Sequence, residues 1–122
     1  MTRKQYLEKV IALYLATPDT PAKARRSDWA VATTFYQQGI PVADIAHALR
    51  LCTTRRIMRA PDLPPLERIC SLAYIRQTVQ GLKRRPDPPD FVDFVGWLYQ
   101  EKTKDRVKKA GQRRNAAISN RR

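Results

Sequence analysis

The sequence predicts an all-α protein: a compact bundle of four to five helices followed by a basic, flexible C-terminal tail. Apolar residues recur every three or four positions in several separate segments, and prolines stand between those segments. No stretch shows the alternating pattern of a β-strand. Hydrophobic residues make up 43% of the 122 positions, which is enough for one core. We therefore expect a helical domain over residues 1–101 and a basic arm over residues 102–122.

The first helix is predicted over residues 2–16 and the second over residues 27–38. Thr2 and Gln5 have the spacing of a capping box, in which each side chain accepts a hydrogen bond from the other residue's backbone N–H. A Thr-Pro-Asp-Thr-Pro sequence then ends the first helix, because proline lacks a backbone donor. Ser27 is the expected N-cap of the second helix.

Three more helices follow. Pro41 is suited to the first position of the third helix, where a missing N–H costs nothing. A proline-rich connector over residues 60–65 separates it from a fourth helix, predicted over residues 66–83. Asp90 is expected to cap a fifth helix, which carries the densest group of aromatic residues in the chain. Beyond residue 102 the apolar pattern disappears.

The net charge indicates what kind of partner the protein binds. Lysine and arginine total 24 against 11 acidic residues, which gives a formal charge of +13. Such an excess repels itself in the folded state and is typical of proteins that bind a polyanion. No apolar run approaches the roughly 20 residues that a membrane span needs, and the N-terminus does not resemble a signal peptide. We expect a nucleic-acid partner, DNA in preference to RNA, no membrane association and a cytoplasmic location.

The stretch from Gly39 to Pro65 raises the question of a helix-turn-helix. On a continuous helix its apolar residues lie on one face as far as Cys52, and arginines then take over that face. Unpaired arginines cannot be buried in a core, so the helix either leaves the core near Thr53 or breaks there. The residues predicted to face nucleic acid at this end are Arg50, Thr54, Arg55, Arg56 and Arg59.

Two helix-turn-helix arrangements are compatible with the sequence. In one, residues 50–52 form the turn; in the other, residues 27–38 form the first helix and residues 41–52 the recognition helix. The first lacks a glycine in its turn and places Arg56 where an apolar residue is expected. The second exposes Asp44, which is poorly suited to phosphate. We favour a helical core whose far end displays the arginines.

Three further basic clusters are candidate phosphate contacts. Prolines beside the first two clusters hold the charged residues near a folded surface. A phosphate contact made there loses less conformational entropy than one made by a free coil. Either cluster could equally be a solvated helix end without a ligand. These two clusters comprise Lys23, Arg25 and Arg26, and Lys83, Arg84 and Arg85. In the tail a single acid, Asp105, opposes a basic block typical of nucleic-acid arms. The block comprises Lys102, Lys104, Arg106, Lys108, Lys109, Arg113, Arg114, Arg121 and Arg122.

No catalytic or metal-binding pattern is recognisable. Cys52 and Cys70 lack the paired spacing of zinc ligands and are expected to be buried thiols. His47 is the only histidine, which argues against a histidine-based triad, and it is expected on an exposed helix surface. A phosphate-cradling glycine loop and a nucleophile elbow are both missing. We therefore expect a non-enzymatic protein without a metal or cofactor.

The segments "IAHALRLCTTRR" and "SLAYIRQTVQGL" resemble small all-helical DNA-binding accessory proteins of bacterial plasmids and transposons. They are also similar to the DnaD-like helical modules of replication initiation, in which a Ser-x-x-Tyr-Ile helix follows an alanine-rich one. The resemblance covers about residues 28–82. It implies a DNA-binding accessory role in replication or mobilisation, and it assigns no individual functional residues.

The predicted function is nucleic-acid binding, mainly through phosphates, as an accessory factor of bacterial DNA replication, transposition or regulation. One alternative is a structural subunit of a ribonucleoprotein, like the small helical subunits of CRISPR effector complexes, which needs the same charges but no sequence specificity. Another is a protein–protein adaptor that uses Phe91, Trp97 and Tyr99 as an exposed patch.

Overall fold

The computed structural model describes the backbone of residues 1–119 and the side chains of residues 1–104. Its helices are α1 (Arg3–Ala16), α2 (Arg26–Gln37), α3 (Val42–Ile57), α4 (Arg76–Arg84) and α5 (Pro89–Ser119), and a 3₁₀ turn (Leu72–Ile75) leads directly into α4. The part of the chain that the structure describes contains no strand, so the all-α prediction is confirmed.

α3 is the central helix of the bundle. It contacts α1, the 3₁₀ turn, α4 and α5. The main core joins residues of α1, α2, α3, the 3₁₀ turn and α4, including Tyr14, Phe35, Ile45 and Leu72. α5 buries Val95, which lies outside that core cluster. α5 is therefore an outer helix that packs on α3.

The starts of α1 and α2 confirm one predicted cap and correct another. Gln5 donates its backbone N–H to Thr2 Oγ1 at 3.2 Å, and Thr2 returns its N–H to Gln5 Oε1 at 2.9 Å, as the capping box predicts. Ser27 does not cap α2. Instead, Asp28 Oδ2 accepts a hydrogen bond from the Arg25 N–H at 2.8 Å. This carboxylate satisfies a donor that the helix leaves free, so α2 begins one residue earlier than predicted.

A tight turn joins α2 to α3. Gly39 has a φ of +69°, a conformation that costs other residues energy and glycine little. Its N–H donates to the Tyr36 carbonyl at 3.0 Å, and the Ile40 N–H donates to the Phe35 carbonyl at 3.1 Å. This pair of bonds is a Schellman motif, and the buried side chain of Ile40 holds the turn against the core.

The predicted helix over residues 66–83 is wrong in its first third. Residues 66–71 are not helical, and the helical part begins only at the 3₁₀ turn. Asp28 Oδ1 accepts a hydrogen bond from the Leu72 N–H at 2.9 Å, which fixes where that turn starts. Ile69 is 1% exposed although it lies outside a helix. A buried apolar residue in an irregular segment was thus mistaken for one turn of a helix.

α3 is continuous, so the first helix-turn-helix arrangement, with its turn at residues 50–52, is not formed. The second arrangement lacks an exposed recognition helix, because only Ala43 and Arg55 have exposed side chains in α3. The polar residues His47, Thr53 and Thr54 are buried together with the apolar ones. The apolar pattern loses its phase because α3 is covered from more than one side. A helix in that position has no single apolar stripe.

The predicted boundary between residues 101 and 102 falls inside α5, whose backbone is helical from Pro89 to Ser119. Pro89 occupies the first position of the helix, so Asp90 lies in the first turn and not at the cap. Side chains beyond residue 104 lie outside the described part of the chain. The division into a domain and a basic arm therefore stays a prediction.

Candidate nucleic-acid interface

The arginines at the far end of α3 do not form one exposed patch. Arg56 forms an ion pair with Asp19, and Arg59 donates a hydrogen bond to the Pro64 carbonyl. Arg50 and Arg55, which both lie in α3, are five residues apart and so about 140° from each other around the helix. The residues predicted to form one phosphate-facing edge therefore do not share one side of the helix.

Thr54 is buried, and Arg50 is half-buried against α5. A Cβ on Gly96 would lie 3.9 Å from Arg50 Nη1, so this guanidinium lies against α5. Burial raises the pKa of Tyr99, and the positive charge of Arg50 opposes that rise. Thr54 is 8% exposed, which removes it from the predicted contacts. Of the five predicted residues in this region, Arg55 alone has an exposed side chain.

The basic cluster before α2 is displayed as predicted. Lys23, Arg25 and Arg26 all have exposed side chains. Asp28, which is 1% exposed, binds the backbone N–H groups of Arg25 and Leu72 with its two oxygens. The backbone that carries the cluster is thus fastened to the 3₁₀ turn, and its charges are held near one position.

An open groove of about 660 Å³ lies between the end of α2 and the outer face of α4. Two arginines and three glutamines give it donors that suit phosphate oxygens, and Gln80 Nε2 donates to Gln38 Oε1 across it at 2.7 Å. Gly81 has no side chain beyond a hydrogen atom, so it leaves the groove open. Its lining residues are Gln38, Arg76, Gln77, Gln80, Gly81 and Arg84.

The groove and the two basic clusters form one surface. Asp28 near the start of α2 binds Leu72, and Gln38 after its end binds Gln80. α2 therefore runs beside the 3₁₀ turn and α4 in the same direction. The 12 residues of α2 span about 18 Å. One basic cluster lies at each end of this length, and Arg76 lies between them.

We call this surface the α2–α4 face. Its basic residues have exposed side chains, and neither α2 nor α4 exposes a carboxylate, because Asp28 is the only acid in the two helices and it is buried. Lys83, Arg84 and Arg85 are exposed as predicted. The face comprises Lys23, Arg25, Arg26, Gln38, Arg76, Gln77, Gln80, Lys83, Arg84 and Arg85.

Sequence reasoning missed four residues of this face, Arg76 and the three glutamines. A signal was present: Arg76, Gln80 and Arg84 are spaced four residues apart and follow one side of a helix. The glutamine after α2 carried no such signal, since only the packing of α2 beside α4 brings it into the groove. Uncharged amides are easily overlooked when basic residues alone are counted.

Of the predicted tail contacts, Lys104 is exposed, as is the neighbouring Lys102. The side chains of the others lie outside the described part of the chain, so their roles stay predictions. Those residues are Arg106, Lys108, Lys109, Arg113, Arg114, Arg121 and Arg122.

His47 and the cysteines have surroundings that suit structural roles. His47 is 3% exposed and not on the surface as expected; its Nε2 lies 2.8 Å from Asp87 Oδ2, and its ring contacts Phe91 edge-on. Cys52 is buried as predicted, whereas Cys70 is exposed. Among the residues with described side chains, no three histidines, cysteines or acids come together as a metal site would require.

Two of the three aromatic residues suggested for an adaptor patch are exposed. Phe91 is 42% and Trp97 58% exposed, whereas Tyr99 is half-buried against α3. Phe94, at 51%, takes the place of the tyrosine beside Trp97. These residues lie on α5 and not on the α2–α4 face.

Within the described part of the chain, every helix is too short or too polar to cross a membrane. Comparison with known proteins returns no relative: no protein-family model matches the chain, and no curated protein or solved structure matches it significantly.

Proposed function

We propose that this protein binds nucleic acid through the α2–α4 face, mainly by contacts to phosphates. The observation that carries the proposal is the groove lined by Arg76 and by Arg84 of the second basic cluster, with the first basic cluster at the start of α2 and no exposed carboxylate on either helix. Phosphate contacts from arginine, lysine and glutamine position a protein on a duplex without reading sequence. Charges held on helices lose less conformational entropy on binding than charges on a free coil.

The proposed partner is duplex DNA, and the proposed role is that of a non-enzymatic accessory factor of bacterial replication, transposition or regulation. Sequence-specific binding by a recognition helix is not part of the proposal. α3, which contains the recognition helix of both arrangements, has exposed side chains only at Ala43 and Arg55. Specificity, where it is needed, comes from another component of the nucleoprotein complex or from DNA shape.

The test is fluorescence anisotropy with a labelled duplex, titrated between about 50 and 200 mM salt. We expect binding that weakens linearly in log–log form. The double variant Arg76→Glu/Arg84→Glu should reduce the salt slope by about 2, because each lost phosphate contact removes close to one unit. The matched control Lys4→Glu/Lys9→Glu makes the same change in net charge on the exposed surface of α1 and should change the slope less.

Three outcomes contradict the proposal. The wild-type protein fails to bind the duplex at low salt, its affinity is independent of salt, or the α1 control loses as much affinity as the groove variant. If Arg55→Glu weakens duplex binding and the groove variant does not, the interface lies at the end of α3.

A ribonucleoprotein subunit is the second candidate, favoured by the same lack of an exposed recognition helix. Such a subunit holds a guide or target strand by its backbone. Titration of single-stranded RNA and single-stranded DNA of the same length separates the two roles. Tighter binding of single-stranded RNA than of the duplex supports the ribonucleoprotein role.

A further inference from the structure

The first 13 residues of α5 differ in chemistry from the rest of this basic protein. Residues 89–101 contain three acids and no lysine or arginine, in a chain whose net charge is +13. The same segment carries three exposed aromatic side chains, with Phe94 51% and Trp97 58% exposed. These two rings contact each other, with centroids 6.2 Å apart. An exposed aromatic pair of this kind marks an interaction surface.

Helix geometry places Trp97 at the centre of the outward side of α5. Asp90 and Lys104 are each seven residues from Trp97 and lie within about 20° of it around the helix. All three side chains are exposed. On the opposite side, Val95 and Thr103 are buried. The outward side therefore carries an acid at one end, an aromatic centre, and a base at the other end. We call it the α5 outer face.

We propose that the α5 outer face pairs with the same face of a second copy of this chain, in antiparallel orientation, with Trp97 at the two-fold axis. In that arrangement Asp90 of each copy lies opposite Lys104 of the other, because both are about 10 Å from the axis along the helix. A parallel pair would instead place like charges opposite each other. A two-fold interface needs a surface that is complementary to itself. Asp90 and Lys104 meet that requirement, and Asp93 and Glu101 lie about 40° to either side of Trp97, at the rim of the pair.

The charges around the aromatic pair favour a second copy of the chain over nucleic acid as the partner of this face. The exposed acids Asp90, Asp93 and Glu101 surround the aromatic pair and would repel phosphates. The α5 outer face itself supplies the base that lies opposite Asp90 in the pair, since Lys104 lies at the middle of α5. This inference does not rest on the proposed nucleic-acid function, because the two surfaces share no residue.

The first measurement is sedimentation velocity of the full chain, treated with nuclease and freed of nucleic acid, from about 1 to 100 µM. One helix pair buries less than the roughly 1,600 Å² of a standard interface, so a micromolar dimer is expected. Its mass should approach twice the 14.1 kDa of the chain. Trp97→Ala should shift the protein to the monomer. Its thermal unfolding should match that of the wild type at a concentration at which both are monomeric, because this side chain is exposed.

A charge exchange tests the antiparallel orientation. Asp90→Lys and Lys104→Asp should each weaken the dimer about tenfold, since each removes two symmetry-related ion pairs at the interface. The double variant should recover most of the wild-type affinity. Asp62→Lys, an exposed acid in the connector before the 3₁₀ turn, is the control and should leave the dimer intact.

A second readout uses the fluorescence of Trp97 in a Trp29→Phe background, where it is the only tryptophan. Dilution from dimer to monomer should shift its emission to the red and increase quenching by acrylamide. A monomer at all concentrations overturns the proposal, even if that monomer binds another protein. A dimer that is indifferent to Trp97→Ala, or a double charge variant weaker than both single ones, overturns it as well.

Discussion

The pKa of a buried phenol depends on its immediate surroundings, as Tyr6 and Tyr14 show. Tyr6 donates a hydrogen bond to the Ile40 carbonyl at 2.6 Å and so ties α1 to the turn before α3. Tyr14 is fully buried, and its hydroxyl has no hydrogen-bond partner among the side chains and backbone that the structure describes. Burial raises the pKa of both phenols, and for Tyr6 the nearby Asp44 carboxylate adds to the rise. Both residues therefore favour the protonated form in the folded protein.

We expect the free energy of unfolding to fall between about pH 10 and 12. Burial raises the pKa of Tyr6 from 10.0 to about 12. Below pH 10 this phenol is protonated in both states and its stabilisation is complete. As the pH rises through 10 to 12, the unfolded chain loses the proton first, so the unfolded state gains stability relative to the native one.

The measurement is denaturant unfolding at several values in that pH window for the wild type and Tyr6→Phe. The variant should be less stable near neutral pH by about 1–3 kcal/mol, because the buried Ile40 carbonyl loses its donor. It should also lose stability less steeply above pH 10. If the stability of both proteins falls equally above pH 10, the loss is not due to Tyr6. Tyr14, whose pKa is also raised, contributes to any loss that remains in the variant.

At the scale of elements, Asp28 joins two parts of the chain that are 44 residues apart. Its carboxylate holds the start of α2 and, with its other oxygen, the backbone of Leu72. The spacing of apolar residues cannot predict such a link, because the sequence around Leu72 contains nothing that identifies its partner. The start of the fourth predicted helix was misplaced for this reason, whereas the α1 capping box was predicted correctly because its two residues are three apart.

Asp28→Ala should destabilise the protein by about 2–4 kcal/mol, because two backbone N–H groups lose their acceptor. Asp28→Asn should cost less, since one amide oxygen remains. The measurement is chemical denaturation, with hydrogen exchange at Leu72 as a local readout. Asp62→Ala removes an exposed acid and should stay within about 0.5 kcal/mol of the wild type. An equal, small effect of both alanine variants would show that the Asp28 link contributes little.

At the scale of the whole molecule, charge is separated by surface. The α2–α4 face is basic, the first half of α5 is acidic, and the last residues of the chain are basic again. Basic and acidic surfaces on one chain allow two kinds of partner to bind at once. The tail adds like charge to a protein that already repels itself.

Replacement of the seven basic residues between 106 and 122 by glutamine should lower the salt slope of duplex binding by at least about 2. The melting temperature should not fall, because the change relieves repulsion between like charges. Anisotropy titrations and thermal unfolding measure the two effects. An unchanged slope would remove the tail from the interface and leave the α2–α4 face to bind alone. The replaced residues are Arg106, Lys108, Lys109, Arg113, Arg114, Arg121 and Arg122.

The sequence alone determined the all-α class, the approximate positions of α1, α2 and α5, the turn at Gly39 and the two basic clusters beside α2 and α4. Each depends on chemistry within a few residues: a capping pair, a glycine that accepts a positive φ, or a run of like charge. The α3 arginines were misplaced because their environment is set by Asp19, Pro64 and α5, not by their own spacing.

Only the tertiary structure decided which side chains share a surface. It covered α3 from several sides, which buried Thr54 and placed Arg50 against α5. It also brought the end of α2 to α4, so that Gln38 and Arg76 line one groove. The physical reason is that burial and juxtaposition depend on which helices pack together. Helix packing is a property of the whole chain, and no segment encodes it by itself.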